Sequence, residues 1–272
     1  MKFFTAAMLA LIGNFALHAQ NKVACEFEIT YSVHYQSFKN EKEPNEDLMI
    51  LQVGKGGQSE FHSYWNERNK TIMDSLMSMS SNPIEAIQQR QKQGMPNGQS
   101  YKVYKNLPEQ GSLTYEDNIV ETMFYEEPMP AINWQMEEGD STIAGYTCQK
   151  AVGEWKGRKW TAWFAMDIPV SDGPWKLCGL PGLILKASEG EGCFDFTCVG
   201  ITKTTDKSFD FTTKGKTKAT QKKMMQLRDM AVNDPKELIK NTLGLDPGEI
   251  IDMDGNPFIP EKKEMNYIEI IE

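Results

Sequence analysis

Two histidines, His34 and His62, lie beyond Ala19, and they set the limit on what acid–base chemistry this chain can perform. Each falls on the polar phase of an expected strand. The sequence carries no Gly-x-Ser-x-Gly elbow, no His-Glu-x-x-His, no phosphate loop and no zinc-ligand spacing. A hydrolase would have to recruit Asp167, Asp172 or Arg158 without a nucleophile–base pair to work beside them. Met73, Met77 and Met79, with His62, offer soft ligands of the kind Cu(I) takes, but no cysteine or histidine stands at ligand spacing beside them. The reading therefore names no catalytic residue, no metal and no cofactor. A hydrolase and a soft-metal protein stay open as alternatives to a binding protein.

Aromatic residues are the richer signal. Trp134, Tyr146, Trp155, Trp160, Trp163, Phe164 and Trp175 crowd the central third, alongside Arg158, Lys159, Asp167 and Asp172. On the strand that holds Trp160 to Met166, alternate residues put a large ring on each face. A sheet covered on both sides, or one whose concave side forms an apolar groove, accounts for this. The groove candidates are Trp134, Tyr146, Arg158, Trp163, Asp167, Asp172 and Trp175. The same rings also serve a packed core, which is their commoner use.

These side chains need a scaffold, and the periodicity supplies one. Phe27, Ile29, Tyr31, Val33 and Tyr35 alternate with polar residues, the pattern of a half-buried strand. Short runs of similar character recur as far as Phe211. The expected fold is mainly β: a curved antiparallel sheet, a meander or half-barrel, with a C-terminal helical segment packed on it. Trp155-Lys156-Gly157-Arg158 and Gly54–Gly57 read as tight hairpin connections. Ser80–Gly98 reads as a loop excursion with a short exposed helix opening at Asn82-Pro83. Thr217–Val232 and Pro235–Leu243 read as two helices, with a final strand at Asn266–Ile271. One β-rich domain over residues 20–272 is expected.

Met1–Ala19 has Lys2, an apolar stretch from Phe3 to Leu17, and a small residue before Gln20, the layout of a secretory signal peptide. No later run reaches the roughly 20 apolar residues a membrane-spanning helix needs. The formal charge of −9 argues against nucleic acid as a partner. Asp74-Ser75-Leu76 and Asp140-Ser141-Thr142 fit a short acceptor pattern for bacterial O-glycosylation. Export permits disulfides among the five cysteines. Cys193 and Cys198 would stand roughly 16 Å apart on one strand, against the 7 Å or so a bridge allows, so they do not pair with each other. A hairpin across Glu189–Gly192 would carry Cys198 toward Cys178, which makes these two the favoured bridge. Cys25, Cys148 and Cys193 are then left for one pair and one free thiol. Five unbridged, buried thiols are the alternative.

The most particular run is Gly179-Leu180-Pro181-Gly182-Leu183-Ile184, shortly after Ser171-Asp172-Gly173-Pro174-Trp175. Proline followed by glycine suits a type II turn with Gly182 at positive φ. With Asn133-Trp134, Ile143–Ala151, Gly157-Arg158, Trp163-Phe164, Asp167–Pro169 and the ending Asn266–Glu269, this run resembles the GLPGLI family of exported bacterial proteins of unknown function. The resemblance implies an extracytoplasmic location and no particular reaction. A non-enzymatic binding or accessory role in the cell envelope follows as the expectation. Its partner would be a peptide, a lipid or another envelope protein.

Overall fold

The structure is a computed structural model in which residues 21–79, 82–248, 257 and 259–270 are described; the leader expected at Met1–Ala19 lies outside the described residues. The first run of elements is β1 (Asn21–Tyr35), β2 (Asn45–Gly54), β3 (Ser59–Ser63), α1 (Tyr64–Met79), α2 (Pro83–Lys92), β4 (Lys102–Lys105), β5 (Ser112–Asn118) and β6 (Thr122–Pro128). The second run is β7 (Gln135–Ile143), β8 (Tyr146–Trp155), β9 (Arg158–Ala165), β10 (Leu183–Glu189), β11 (Phe194–Lys203), β12 (Ser208–Phe211), β13 (Thr217–Lys218), α3 (Gln221–Asn233) and α4 (Pro235–Leu243).

Two antiparallel meanders make one mainly β, open sheet in the order β13-β6-β5-β4-β3-β2-β1-β11-β10-β9-β8-β7. They join where β11 pairs with β1, from Phe27↔Lys203 to Tyr35↔Phe194. The start of β1 instead pairs with β12, Val23 opposite Phe209. Only β13 runs parallel to its neighbour among the described strands, Thr217 opposite Met123 of β6. The sheet curls strongly. Phe61 of β3 and Phe196 of β11 are three strands apart, about 14 Å on a flat sheet, yet their ring centroids lie 6.3 Å apart.

Alternation decides which face of β1 goes inward: Ile29, Tyr31 and Val33 are buried while the residues between them are part-exposed. The hairpin turns follow their residue types. Lys156 and Gly157 both have positive φ, as a two-residue type I′ connection requires. The edge strand β7 escapes a hydrophobicity reading because nearly all its residues are exposed. It carries Glu137, Glu138 and Asp140 around a bulge, which disfavours pairing with another chain's edge.

Several expectations need correction. Residues 64–79, where the sequence pattern predicts no helix, form the sixteen-residue α1. Only Asn69 of α1 is buried, so no apolar stripe announced it. The helix expected from Thr217 starts four residues later. Residues 217 and 218 are held as strand, and Thr220 caps α3 by accepting from the Lys223 N–H at 3.2 Å. The final strand is absent from the described part of Asn266–Ile271. That segment is irregular chain that bends at Ile268 and Glu269, and the bridge Phe38↔Met265 ties it to the body just before it begins.

The Cys178–Cys198 bridge is not formed; Cys25, Cys148, Cys178, Cys193 and Cys198 all have free thiols. Register is the reason. The β10–β11 pairs Lys186↔Thr197 and Ser188↔Asp195 carry Cys198 past Leu183 along β10. Cys198 Sγ then faces the Gly200 carbonyl, whereas Cys178 Sγ faces that of Pro130.

Candidate functional site

Between β9 and β10 the chain leaves the sheet and folds back into its concave side. From Asp172 to Ile184 only Gly179 and Pro181 are exposed. A buried loop must find partners for its backbone groups, and charged side chains provide them. Lys105 Nζ, itself buried, donates to the carbonyls of Gly173 at 2.6 Å and Leu177 at 3.2 Å, and pairs with Asp172. Trp134 Nε1 donates to Cys178 O at 2.8 Å, and the Tyr31 hydroxyl to Ile184 O at 2.7 Å.

Glycine does two different jobs here, and the expected one falls on the wrong residue. Gly179, not Gly182, has the positive φ, at 93°. Gly182 is required by proximity: a Cβ there would lie 2.2 Å from the Ala165 carbonyl oxygen. The loop also holds Trp175 at φ 52°, an unfavourable conformation for so bulky a residue. This turn seats Trp175 against Trp160 and Trp155, with centroids 5.8 and 5.3 Å away.

Next to it Lys176 is fully buried. Its Nζ lies 2.8 Å from the Tyr125 hydroxyl, pairs with Glu127 and Glu269, and sits 4.9 Å from the centre of the Tyr125 ring. Glu269 belongs to the C-terminal segment, so the loop's lysine holds down the last described stretch of chain. Arg158 adds a second hold: Nη2 donates to Tyr267 O at 2.7 Å and to Asn266 Oδ1 at 2.6 Å. The Tyr267 hydroxyl then reaches α3, donating at 2.9 Å to Met225 O.

The C-terminal segment, α3 and the concave sheet enclose a cavity of about 130 Å³. One wall is a ladder of tyrosines across three strands. Tyr115 of β5 pairs directly with Tyr125 of β6, and their rings stack at 5.0 Å; Tyr101, just before β4, stacks on Tyr115 at 5.6 Å. Trp175, Phe194 and Phe196 also line it, and α3 contributes Met224 and Met225. Tyr35, Gln99, Tyr101 and Met265 are part-exposed, so the cavity has an open mouth.

Its charges are paired within the protein: Arg228 with the buried Asp117, Glu269 with Lys176. Burial works against the Arg228 charge, but Asp117 beside it more than offsets this and holds its pKa above the ordinary value. Burial pushes the Tyr35 hydroxyl up to about 12 and those of Tyr101, Tyr115 and Tyr125 higher still, so all four are neutral donors or acceptors at ordinary pH.

Of the expected groove residues only Trp175 lines this cavity. Arg158 stands one residue behind it, reaching through Asn266. Asp172 is a structural partner of Lys105, and Asp167 is exposed. Trp134 and Tyr146 pack on the core from outside the cavity. Trp163 faces away from Trp160 and Phe164, its ring over the Gly139 backbone of β7. His34 lies beside Glu46 on an exposed patch, and His62 Nδ1 lies 3.0 Å from Glu60 Oε1. Met73 and Met77, four residues apart, share one face of α1. Sequence reasoning missed the tyrosine ladder, Arg228 and the C-terminal segment. Tyr101 and Tyr125 stand at the ends of runs with strand character and Tyr115 in none, and only the pairing of β4, β5 and β6 brings the three together.

The fold is thus that of an open, curled sheet closed over an inserted loop, with a tyrosine-walled cavity beside it. Residues 153–186, which run from the end of β8 through the loop into β10, match a family described as "Protein of unknown function (Porph_ging)". No curated protein matches the chain. Two solved structures of PNGF-II, in P21 and C2 crystals, are each 16% identical to it, with TM-scores of 0.51 and 0.49. They cover 75% and 74% of this chain, which itself spans only about a third of their length (33% and 32%). At that identity the likeness concerns the fold.

Proposed function

We propose that this is an exported binding protein of the bacterial cell envelope, a member of the GLPGLI family, whose ligand site is the tyrosine-walled cavity under α3 and the C-terminal segment. The observation that carries the reading is the cavity itself: aromatic and apolar walls with a few convergent polar groups, the usual make-up of a small-ligand site. The family assignment is supported by Gly179–Ile184 and by the unknown-function family that matches the same stretch. Export is supported by the pattern of Met1–Ala19. A binding role is favoured over hydrolysis because neither Asp167, Asp172 nor a histidine lines the cavity.

Native mass spectrometry of the full chain, purified from the envelope fraction of an expressing bacterium, tests this. The expected result is a processed N-terminus near Gln20 and a retained mass that is lost when Met224→Trp fills the cavity. An unprocessed chain would overturn the export reading. A retained mass unaffected by Met224→Trp would overturn the site.

A further inference from the structure

Resting on that reading of the cavity, we propose its ligand class and the residue that sets it: the site takes an uncharged aryl group, because Lys176 already fills the place a cation would take. The first observation is size. A dry cavity of roughly 150 Å³ takes one benzene ring, and this one, at about 130 Å³, has room for a single ring.

The second is what the aromatic wall already holds. Rings gathered about one point make a cradle for an ammonium group, and Tyr115, Tyr125 and Trp175 of the cavity lining are gathered in this way. Their cation is internal. Lys176 Nζ lies 5.2 Å from the centre of the Tyr115 ring, 4.9 Å from that of Tyr125 and 5.8 Å from that of Trp175, and its side chain has no exposed surface. A ligand ammonium would have to share these rings with a like charge.

The third is the charge of the lining itself, which comprises Asp117, Arg228 and Glu269. Asp117 pairs with Arg228, and Glu269 with Lys176. An anion would meet two carboxylates and a guanidinium already paired, and would give up its hydration without gaining a partner. A neutral ring meets neither cost. Beside Tyr101, Tyr115 and Tyr125, stacked at 5.0–5.6 Å, it gains the offset or edge contacts that aromatic pairs prefer, which a saturated ring of similar size does not. The aryl group can belong to a free small molecule or to a phenylalanine side chain of a peptide.

Binding to the full chain is measured by calorimetry at pH 7 with toluene, methylcyclohexane, benzoate, benzylammonium and N-acetyl-phenylalaninamide. Toluene is expected to bind at least roughly 10-fold more tightly than benzoate or benzylammonium, and roughly 2- to 10-fold more tightly than methylcyclohexane. A charged probe that matches toluene would overturn the neutral class, and methylcyclohexane matching it would overturn the aromatic preference. N-acetyl-phenylalaninamide binding at least as tightly as toluene assigns the peptide source; weaker binding assigns the free molecule. Lys176→Met frees the ring faces of their cation and should raise benzylammonium relative to toluene roughly 5- to 30-fold, the worth of one desolvated cation–π contact. An unchanged ratio in that variant would overturn the role of Lys176, and the ranking on the unaltered chain tests the class whether or not the variant folds. If Met224→Trp abolishes a retained cellular mass but toluene does not bind, the ligand class is wrong and the site stands; if toluene binds equally to Met224→Trp, the cavity is not where it sits and both readings fail.

Discussion

Replacing Gly182 by alanine tests why the loop between β9 and β10 has glycine where it does. The added methyl carbon would lie 2.2 Å from the Ala165 carbonyl oxygen and 2.7 Å from its carbon, both of them backbone atoms. Ordinary contact requires about 3.2 Å or more, so the loop and β9 must separate by roughly 1 Å at the point where Leu183 pairs with Ala165. Overpacking a filled site costs about 1–3 kcal/mol, and a clash between two backbones that cannot rotate away belongs at the top of that range. For a domain of this size, about 3 kcal/mol corresponds to a fall in Tm of roughly 6–12 °C. Gly192→Ala is the natural control: its φ is 75°, but nothing lies within 4 Å of the new carbon. Only the strain of the left-handed conformation acts there, about 1–2 kcal/mol. Urea unfolding followed by tryptophan fluorescence should therefore rank Gly182→Ala well below Gly192→Ala. Equal midpoints for the two variants would refute the close-approach argument.

Lys176→Met would leave the buried Glu269 and the half-buried Glu127 with only the part-exposed Lys156, 3.6 and 3.3 Å away, at a cost below the roughly 3–5 kcal/mol of a fully broken buried pair, about 2–3 kcal/mol. Limited proteolysis should then cut first within 259–270, and an uncut C-terminal segment would show that this ion pair does not hold it. Burial raises the Glu60 carboxyl, but its bonds to His62 and Lys102 outweigh that and hold it below its ordinary 4.5. Its stabilisation is therefore fully present above pH 4.5 and fades as the pH falls through the lowered value. The stability lost in Glu60→Gln should accordingly be large at pH 7 and shrink below pH 4.5; a loss that grows on acidification would contradict the sign. Burial pushes the thiols of Cys178 and Cys198 up to about 11. Both should resist iodoacetamide at pH 8 in the folded protein, whereas denaturation without reductant should give five adducts. Three adducts would restore a disulfide.

Class, turns and several strands were legible because they depend on neighbours in sequence. Alternation in β1, the Lys156-Gly157 turn, and Pro235 behind Asp234 each act over a few residues, and each appears where local chemistry puts it. α1 was hidden because it buries almost nothing, and β7 because an edge strand has little apolar pattern to show. For the candidate site, Trp175 was picked out as an aromatic, but its place in the cavity wall was not. Arg158 was singled out for its charge, although its task is to anchor Asn266 and Tyr267 from more than a hundred residues away.

What the sequence determined by itself is a chain rich in alternating strands, with a glycine-proline run that had to be structural and no set of residues equipped for a familiar reaction. What only the tertiary structure decided is which residues meet. Pairing β11 with β1 curls two meanders into one sheet, and Lys105 and Lys176 admit a polar loop into its hollow by satisfying carbonyls and carboxylates there. Strand register then stacks three tyrosines that are distant or merely near in sequence. Such contacts depend on register and on long-range closure, and a one-residue slip in either would turn the same side chains to the opposite face.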